Sequence, residues 1–148
     1  MTMNTKFQER TAVLATLDPA SVAAGTVITA YVPTANFHGV AALLDVGVFG
    51  AAATVDAKLR QATDAAGTGV KDIAGKAITQ LVAAGGNNRQ VIVECRPEEL
   101  DTTNGFAFVC LSVTVGAAAT LLGAALLGVN PRYQSASSFN QAGVAQLV

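Results

Sequence analysis

The sequence contains no tryptophan, and its 6 Phe and 2 Tyr bring aromatics to only 5% of 148 residues. Pockets for drug-sized ligands are usually rich in large apolar and aromatic groups, so this chain is poorly equipped to build one. Sugar-binding platforms face the same shortage. Charge is scarce too. Asp, Glu, Lys and Arg together make up 13% of the chain, against about 25% in an ordinary globular domain. The 9 basic and 10 acidic residues leave a net charge of −1. No basic field exists for a phosphate backbone, so nucleic acid is not an expected partner.

The single histidine, His38, cannot build a multi-histidine metal site and has no evident partners for acid–base work. It is expected to be half-buried, bonded to a backbone carbonyl or to a neighbouring subunit. Cys95 and Cys110 are too few for a secreted disulfide framework and lack the close spacing of zinc ligands. Two small, buried or half-buried thiols are expected rather than a disulfide. Residues 1–10 are polar and do not read as a signal peptide. The most hydrophobic run, Val115 to Val129, spans 15 residues, carries three glycines and ends at Asn130-Pro131-Arg132. A spanning helix needs about 18–20 residues, so a turn plus a buried strand is expected and no membrane partner.

What the chain does have is 51% apolar residues, chiefly Ala, Val and Leu, with 14 Gly. Small side chains let backbones approach and make thin layers. Low surface charge does little to keep copies of a protein apart, which suits a subunit that covers its surface with partners. The length fits one domain with a real core.

Turn signals divide the chain into short β segments. Thr11 to Leu17 reads as an edge strand ended by Asp18-Pro19, and Thr26 to Pro33 as a second strand. Phe37 to Val48 is a buried strand, because Gly39, Gly47 and Gly50 punctuate it and valines enrich it. In Thr54 to Gln61, Val55, Ala57 and Leu59 alternate with Thr54, Asp56, Lys58 and Arg60, as in a half-buried antiparallel strand. Thr63 to Gly69 is a loop and Lys71 to Gly75 a short extended piece. Lys76 to Val82 is expected to alternate, with Ile78, Gln80 and Val82 opposite Thr79 and Leu81. Gln90 to Arg96 places Val91, Val93 and Cys95 on one face. Pro97 to Leu100 is one helical turn. Phe106 to Val115 puts Phe106, Phe108 and Cys110 opposite Val109, Leu111, Val113 and Val115. Thr120 to Val129 is the last strand. The fold class is therefore mainly β: an antiparallel sandwich or jelly-roll-like barrel of about seven to eight strands. It comprises residues 11–133, with arms at 1–10 and 134–148. The second arm is expected to be disordered alone or to order on a neighbour.

No chemistry-bearing constellation emerges. Glu98, Glu99 and Asp101 form the one acidic cluster, on a turn where solvation is expected and no calcium-loop spacing exists. Gly67-Thr68-Gly69 lacks the Gly-Lys-Ser/Thr ending of a phosphate loop. No Gly-x-Ser-x-Gly elbow is present. Lys71, Lys76, Arg89 and Arg96 are scattered, as on a solvated face or interface rim. The chain is expected to be no enzyme, with no catalytic, metal-binding or cofactor-binding residues and no cofactor.

The segments Phe37-His38-Gly39-Val40-Ala41-Ala42-Leu43-Leu44-Asp45-Val46-Gly47 and Ala53 to Asp64 resemble a family of small tailed-bacteriophage structural proteins. Lys71-Asp72-Ile73-Ala74-Gly75-Lys76, Arg96-Pro97-Glu98-Glu99-Leu100-Asp101, Leu111-Ser112-Val113-Thr114-Val115 and Asn130-Pro131-Arg132-Tyr133 extend the resemblance, which covers roughly Tyr31 to Tyr133. It implies a capsid decoration (cement) protein of the virion, assembled in the host cytoplasm. The implied partners are the major capsid protein and copies of itself, as trimers or other rings. A tail, connector or fibre-base protein is the alternative it leaves open, and a carbohydrate-binding β-module a more distant one.

Overall fold

The structure, a computed structural model, describes residues 4–148. Of the expected N-terminal arm, residues 1–3 lie outside the described residues. A single helical turn (Phe7–Arg10) leads into β1 (Thr11–Val22). Next come β2 (Gly25–Ile28), β3 (Val32–Pro33), β4 (Phe37–Phe49) and β5 (Thr54–Ala62). β6 (Lys71–Ala77) and β7 (Leu81–Val82) precede a tight turn at Ala83–Gly86. β8 (Arg89–Cys95), β9 (Phe108–Gly116) and β10 (Thr120–Pro131) complete the sheets.

All pairings are antiparallel. One sheet has the order β1-β10-β4-β8 and the other β2-β9-β5-β6, with β3 also on β9 and β7 also on β5. β2–β3 and β6–β7 are each one strand position interrupted, so eight positions result, four per sheet. The chain crosses between sheets after β1, after β3, after β4, after β7, after β8 and after β9. This winding is a β jelly roll, the double-sheet architecture in which sheet edges are kept few and short.

The core lies between the sheets. Val40, Ala42, Leu44 and Val46 of β4, with Leu122 and Leu126 of β10, face Val55, Ala57 and Leu59 of β5 and Val109, Leu111, Val113 and Val115 of β9. Period-two burial explains why these residues form strands: each buries every second side chain. β5 behaves as its alternation predicts, and so do β8's inward Val91, Val93 and Cys95.

The sequence reading differs from the structure in several places. β1 does not stop at Asp18-Pro19 but runs on to Val22. Proline is tolerated there because β1 is an edge strand and its register with β10 shifts between Leu17 and Ala20. Thr26 to Pro33 splits at Thr29–Tyr31, where Thr29 exchanges bonds with β9: its N–H donates to the Leu111 carbonyl, and its Oγ1 accepts from the Leu111 N–H at 3.0 Å. The expected alternation across Lys76 to Val82 fails. β6 ends at Ala77 and β7 resumes on β5 at Leu81, with the register shifted by one residue between Lys58–Ala77 and Val55–Leu81. β9 begins at Phe108, not Phe106. Its outer face is drier than expected, with Cys110 and Ser112 buried as well as Val109 and Leu111.

The C-terminal segment, expected as a tail without fixed structure or ordered on a neighbour, docks on its own chain. Ala136–Phe139 forms a helical turn whose Ala136 joins Ala12 and Phe37 in a second small cluster. The Asn140 Oδ1 accepts from the Val13 N–H and the Gln141 N–H donates to the Val13 carbonyl, both at 2.8 Å. Both backbone groups of Val13 on the free edge of β1 are thereby satisfied.

Candidate interaction surface

The residues singled out for chemistry do not converge. His38 is exposed near the start of β4, not half-buried as expected. Cys95 closes β8, while Cys110 lies in β9 of the opposite sheet; both are free and buried. Burial pushes the Cys95 thiol up to about 11, with the Glu99 carboxylate adding to the effect. Burial likewise raises Cys110, whose thiol bonds the Tyr31 hydroxyl. A Cβ on Gly67 would lie 2.6 Å from the Tyr31 ring, so this loop glycine is where the 63–69 loop closes over that pair.

The acidic cluster is divided among three cations. Glu98 pairs with Arg132, Glu99 with Lys76 at 2.9 Å, and Asp101 with Lys71. Lys71 also sits 4.2 Å over the Phe106 ring. The Asp101 carboxyl is held below the usual carboxylate range, first by the Lys71 ammonium and then by the Asn104 amide. Glu99 is held low chiefly by the Arg96 N–H, with Lys76 next. Three separately neutralised carboxylates clip the Pro97–Leu100 turn to β6 and to the end of β10. Asp64 caps its own loop, accepting from the Ala66 and Thr68 N–H groups. Among the described residues no three His, Cys, Asp or Glu side chains are grouped to hold a metal ion. A depression of about 910 Å³ is lined by His38, Lys76, Glu94, Arg96, Glu98 and Glu99 with neighbouring backbone. Two of its carboxylates are already engaged in the ion pairs above.

The outward face of the β1-β10-β4-β8 sheet is different in kind. Registers place Thr16 beside Ala125, Ala125 beside Leu43 and Leu43 beside Ile92, so one row crosses all four strands. Its neighbours are the row Gly123–Asp45–Gln90 on one side and Leu127–Ala41–Glu94 on the other. Leu43 is 38% exposed, Leu121 48% and Ile92 70%. Between Leu43 and Leu121 lies a depression of about 830 Å³, which has Pro19, Leu43, Gln90, Leu121, Gly123 and Ala125 in its lining. Small residues make its floor. A Cβ on Gly47 would stand 3.1 Å from Leu121, and one on Gly123 3.1 Å from Pro19. One polar bond crosses it, the Gln90 amide donating to Asp45 at 2.9 Å.

No family model matches the chain, and no curated protein matches it. Solved structures with similar folds do exist. A chain of the Triatoma virus structure matches at a TM-score of 0.49 and 8% identity, over 95% of this chain and 74% of that one. A chain of the cowpea mosaic virus empty particle matches at 0.42 and 11%, over 90% and 89%. The CBM22-2 xylan-binding domain from Paenibacillus barcinonensis matches at 0.36 and 9%, over 81% and 98%. These likenesses concern the fold alone.

The reading of Phe37 to Val48 as a buried strand concealed the aliphatic face. β4 is buried on one side only, and Leu43 lies on the other. The signal was present in β8. If Val91, Val93 and Cys95 point inward, then Gln90, Ile92 and Glu94 point outward, and Ile92, 70% exposed, stands between two polar residues. Among the described residues, no helix is long and apolar enough to cross a membrane.

Proposed function

We propose that this chain is a structural component of a virus particle, and that it serves as a decoration protein on the outer shell of a tailed-phage head. The observation that carries the reading is the aliphatic outward face of the β1-β10-β4-β8 sheet. In a sandwich that works alone, this face is ordinarily polar. Here Leu43, Leu121 and Ile92 stand on it in a chain that has few charges. Exposed aliphatics gathered on one sheet face suit a surface that a partner covers. The jelly-roll architecture supports the reading because it recurs in viral capsid and lectin domains, and fold by itself assigns no role. The resemblance of the Tyr31–Tyr133 segments to phage structural proteins supplies the particular particle. The partners are the major capsid protein and further copies of this chain.

A lectin-like role is less well served. Neither depression has a Phe, Tyr or Trp in its lining on which a sugar would stack. The same aliphatic face would serve in a tail, connector or fibre base.

The experiment is to add the purified protein to phage heads lacking it and image them by electron cryo-microscopy. Ordered density at fixed positions on the shell is expected. Bare shells would refute the decoration role. Tubes or stacked rings formed by the protein alone would move it to the tail.

A further inference from the structure

A jelly roll has four sheet edges, and an open edge invites another strand unless it is blunted. Three of the four are blunted here. β1 is covered at Val13 by Asn140 and Gln141 and kinked at Asp18-Pro19. The β2–β3 edge consists of four residues and then two, ending in Pro33. The β6–β7 edge is broken after Ala77, and its register jumps between the pairs Lys58–Ala77 and Arg60–Asp72. The fourth edge, β8, has none of these devices. Arg89–Cys95 contains no Pro or Gly, pairs with β4 through seven consecutive residues without a bulge, and among the described residues has no second strand beside it.

We propose that β8 is the site of self-association, pairing antiparallel with β8 of a second copy about a two-fold axis through Ile92. The occupant is argued from the strand's own sequence. A two-fold perpendicular to the sheet keeps outward residues opposite outward residues. Centred on Ile92, it sets Ile92 against its own copy and Gln90 against Glu94. The row Thr16–Ala125–Leu43–Ile92 then continues unbroken into the second sheet, and two exposed isoleucines cover each other at a cross-strand Cβ distance of about 4.5–5.5 Å. Among the described residues, neither Glu94 nor Arg96 forms an ion pair within the chain. In this register Glu94 meets the copy's Gln90 amide, and no like charges face each other. Sliding the register by two residues one way would set Ile92 against a carboxylate; sliding it the other way would set it against an amide. Such a contact is isologous and closes on itself, giving a dimer with an eight-stranded sheet, not a fibre. The inference sharpens the self-packing stated above but does not need the virion role.

The test uses the full chain in solution. Sedimentation equilibrium is expected to give twice the 14.9 kDa chain mass. Ile92→Lys, a change at an exposed position, is expected to halve that mass while leaving the circular dichroism spectrum and melting temperature in place. Ile92→Cys is expected to form an inter-chain disulfide on mild oxidation, since directly opposed antiparallel residues have Cα atoms about 4.5–5.5 Å apart, within disulfide reach. Leu121→Cys, also at an exposed position but distant from the edge, is expected not to. A native protein that is monomeric throughout its soluble range overturns the proposal. So does an Ile92→Lys protein of unchanged mass, or equal cross-linking of the two cysteine variants. Shell binding is scored separately: a monomer that still decorates heads defeats the dimer and leaves the virion reading standing, and a dimer that ignores heads does the reverse.

Discussion

The ring of Phe139 meets the ring of Phe37 edge-on, with centroids 5.3 Å apart and planes at 69°. This contact joins the C-terminal segment to the first residue of β4. It also explains Gly128, where a Cβ would stand 2.6 Å from the Phe37 ring.

Phe139→Ala is therefore expected to lower stability by about 1–3 kcal/mol, combining lost apolar burial with the lost edge-to-face contact. Gly128→Ala is expected to cost a similar amount by forcing the Phe37 ring aside. Urea denaturation followed by circular dichroism measures both. A midpoint unchanged in Phe139→Ala would mean that the segment does not hold β4, and one unchanged in Gly128→Ala that the Phe37 ring yields without cost.

Removal of residues 135–148 uncovers Val13 on β1 and leaves a second open edge. The truncated chain is expected to aggregate at concentrations where the full chain does not, because an unpaired edge templates strand addition. Light scattering against concentration reads this directly. Adding Ile92→Lys to the truncation should not rescue it, since the newly opened edge is on the far side of the sheet.

Leu59 and Leu111 lie directly opposite each other on β5 and β9, and both are fully buried. Leu111→Ala is expected to cost about 2–5 kcal/mol, the usual range for a buried leucine replaced by alanine. Its effect on stability should exceed that of Ile92→Ala, although both remove an aliphatic side chain from a strand. Equal losses would contradict the burial that separates the two positions.

Native-state thiol labelling is expected to be slow for both cysteines. Burial raises each pKa, Cys95 to about 11, so little thiolate exists at neutral pH and reagents cannot reach it. Titration with a disulfide reagent should find two thiols in urea and close to none in buffer. Rapid modification of one cysteine in the folded protein would refute the assignment.

Acid is expected to destabilise the fold through Asp72, Asp101 and Glu99. Asp72 is held below the usual range chiefly by the Lys58 ammonium, with Arg60 adding to it. A carboxyl lowered in the folded state stabilises it above the unfolded pKa, and that contribution is lost as pH falls through the folded value. The urea midpoint should hold steady from neutrality to about pH 5 and decline below about pH 4, where unfolded carboxylates titrate. Asp72→Asn should make the decline shallower, while costing no more than about 1 kcal/mol at neutral pH because the pair is solvent-exposed.

The sequence alone determined the fold class, because alternation in Thr54 to Gln61 and in Gln90 to Arg96 is a local property of each strand. It came within two residues of the end of the last strand, expected at Val129 and observed at Pro131, where proline lacks the donor a ladder needs. Tertiary structure decided what depends on neighbours. Leu43, Ile92 and Leu121 look like any core aliphatics until the registers set them on one outward face. Asn140 and Gln141 read as tail until Val13 is found beside them. Glu98, Glu99 and Asp101 form a cluster along the chain, yet Lys71 and Lys76 of β6 and Arg132 after β10 come from two distant places to separate them. Short-range periodicity states which side of a strand is apolar. It does not state which side has another sheet to meet it, and in this protein that difference creates the surface left to be covered.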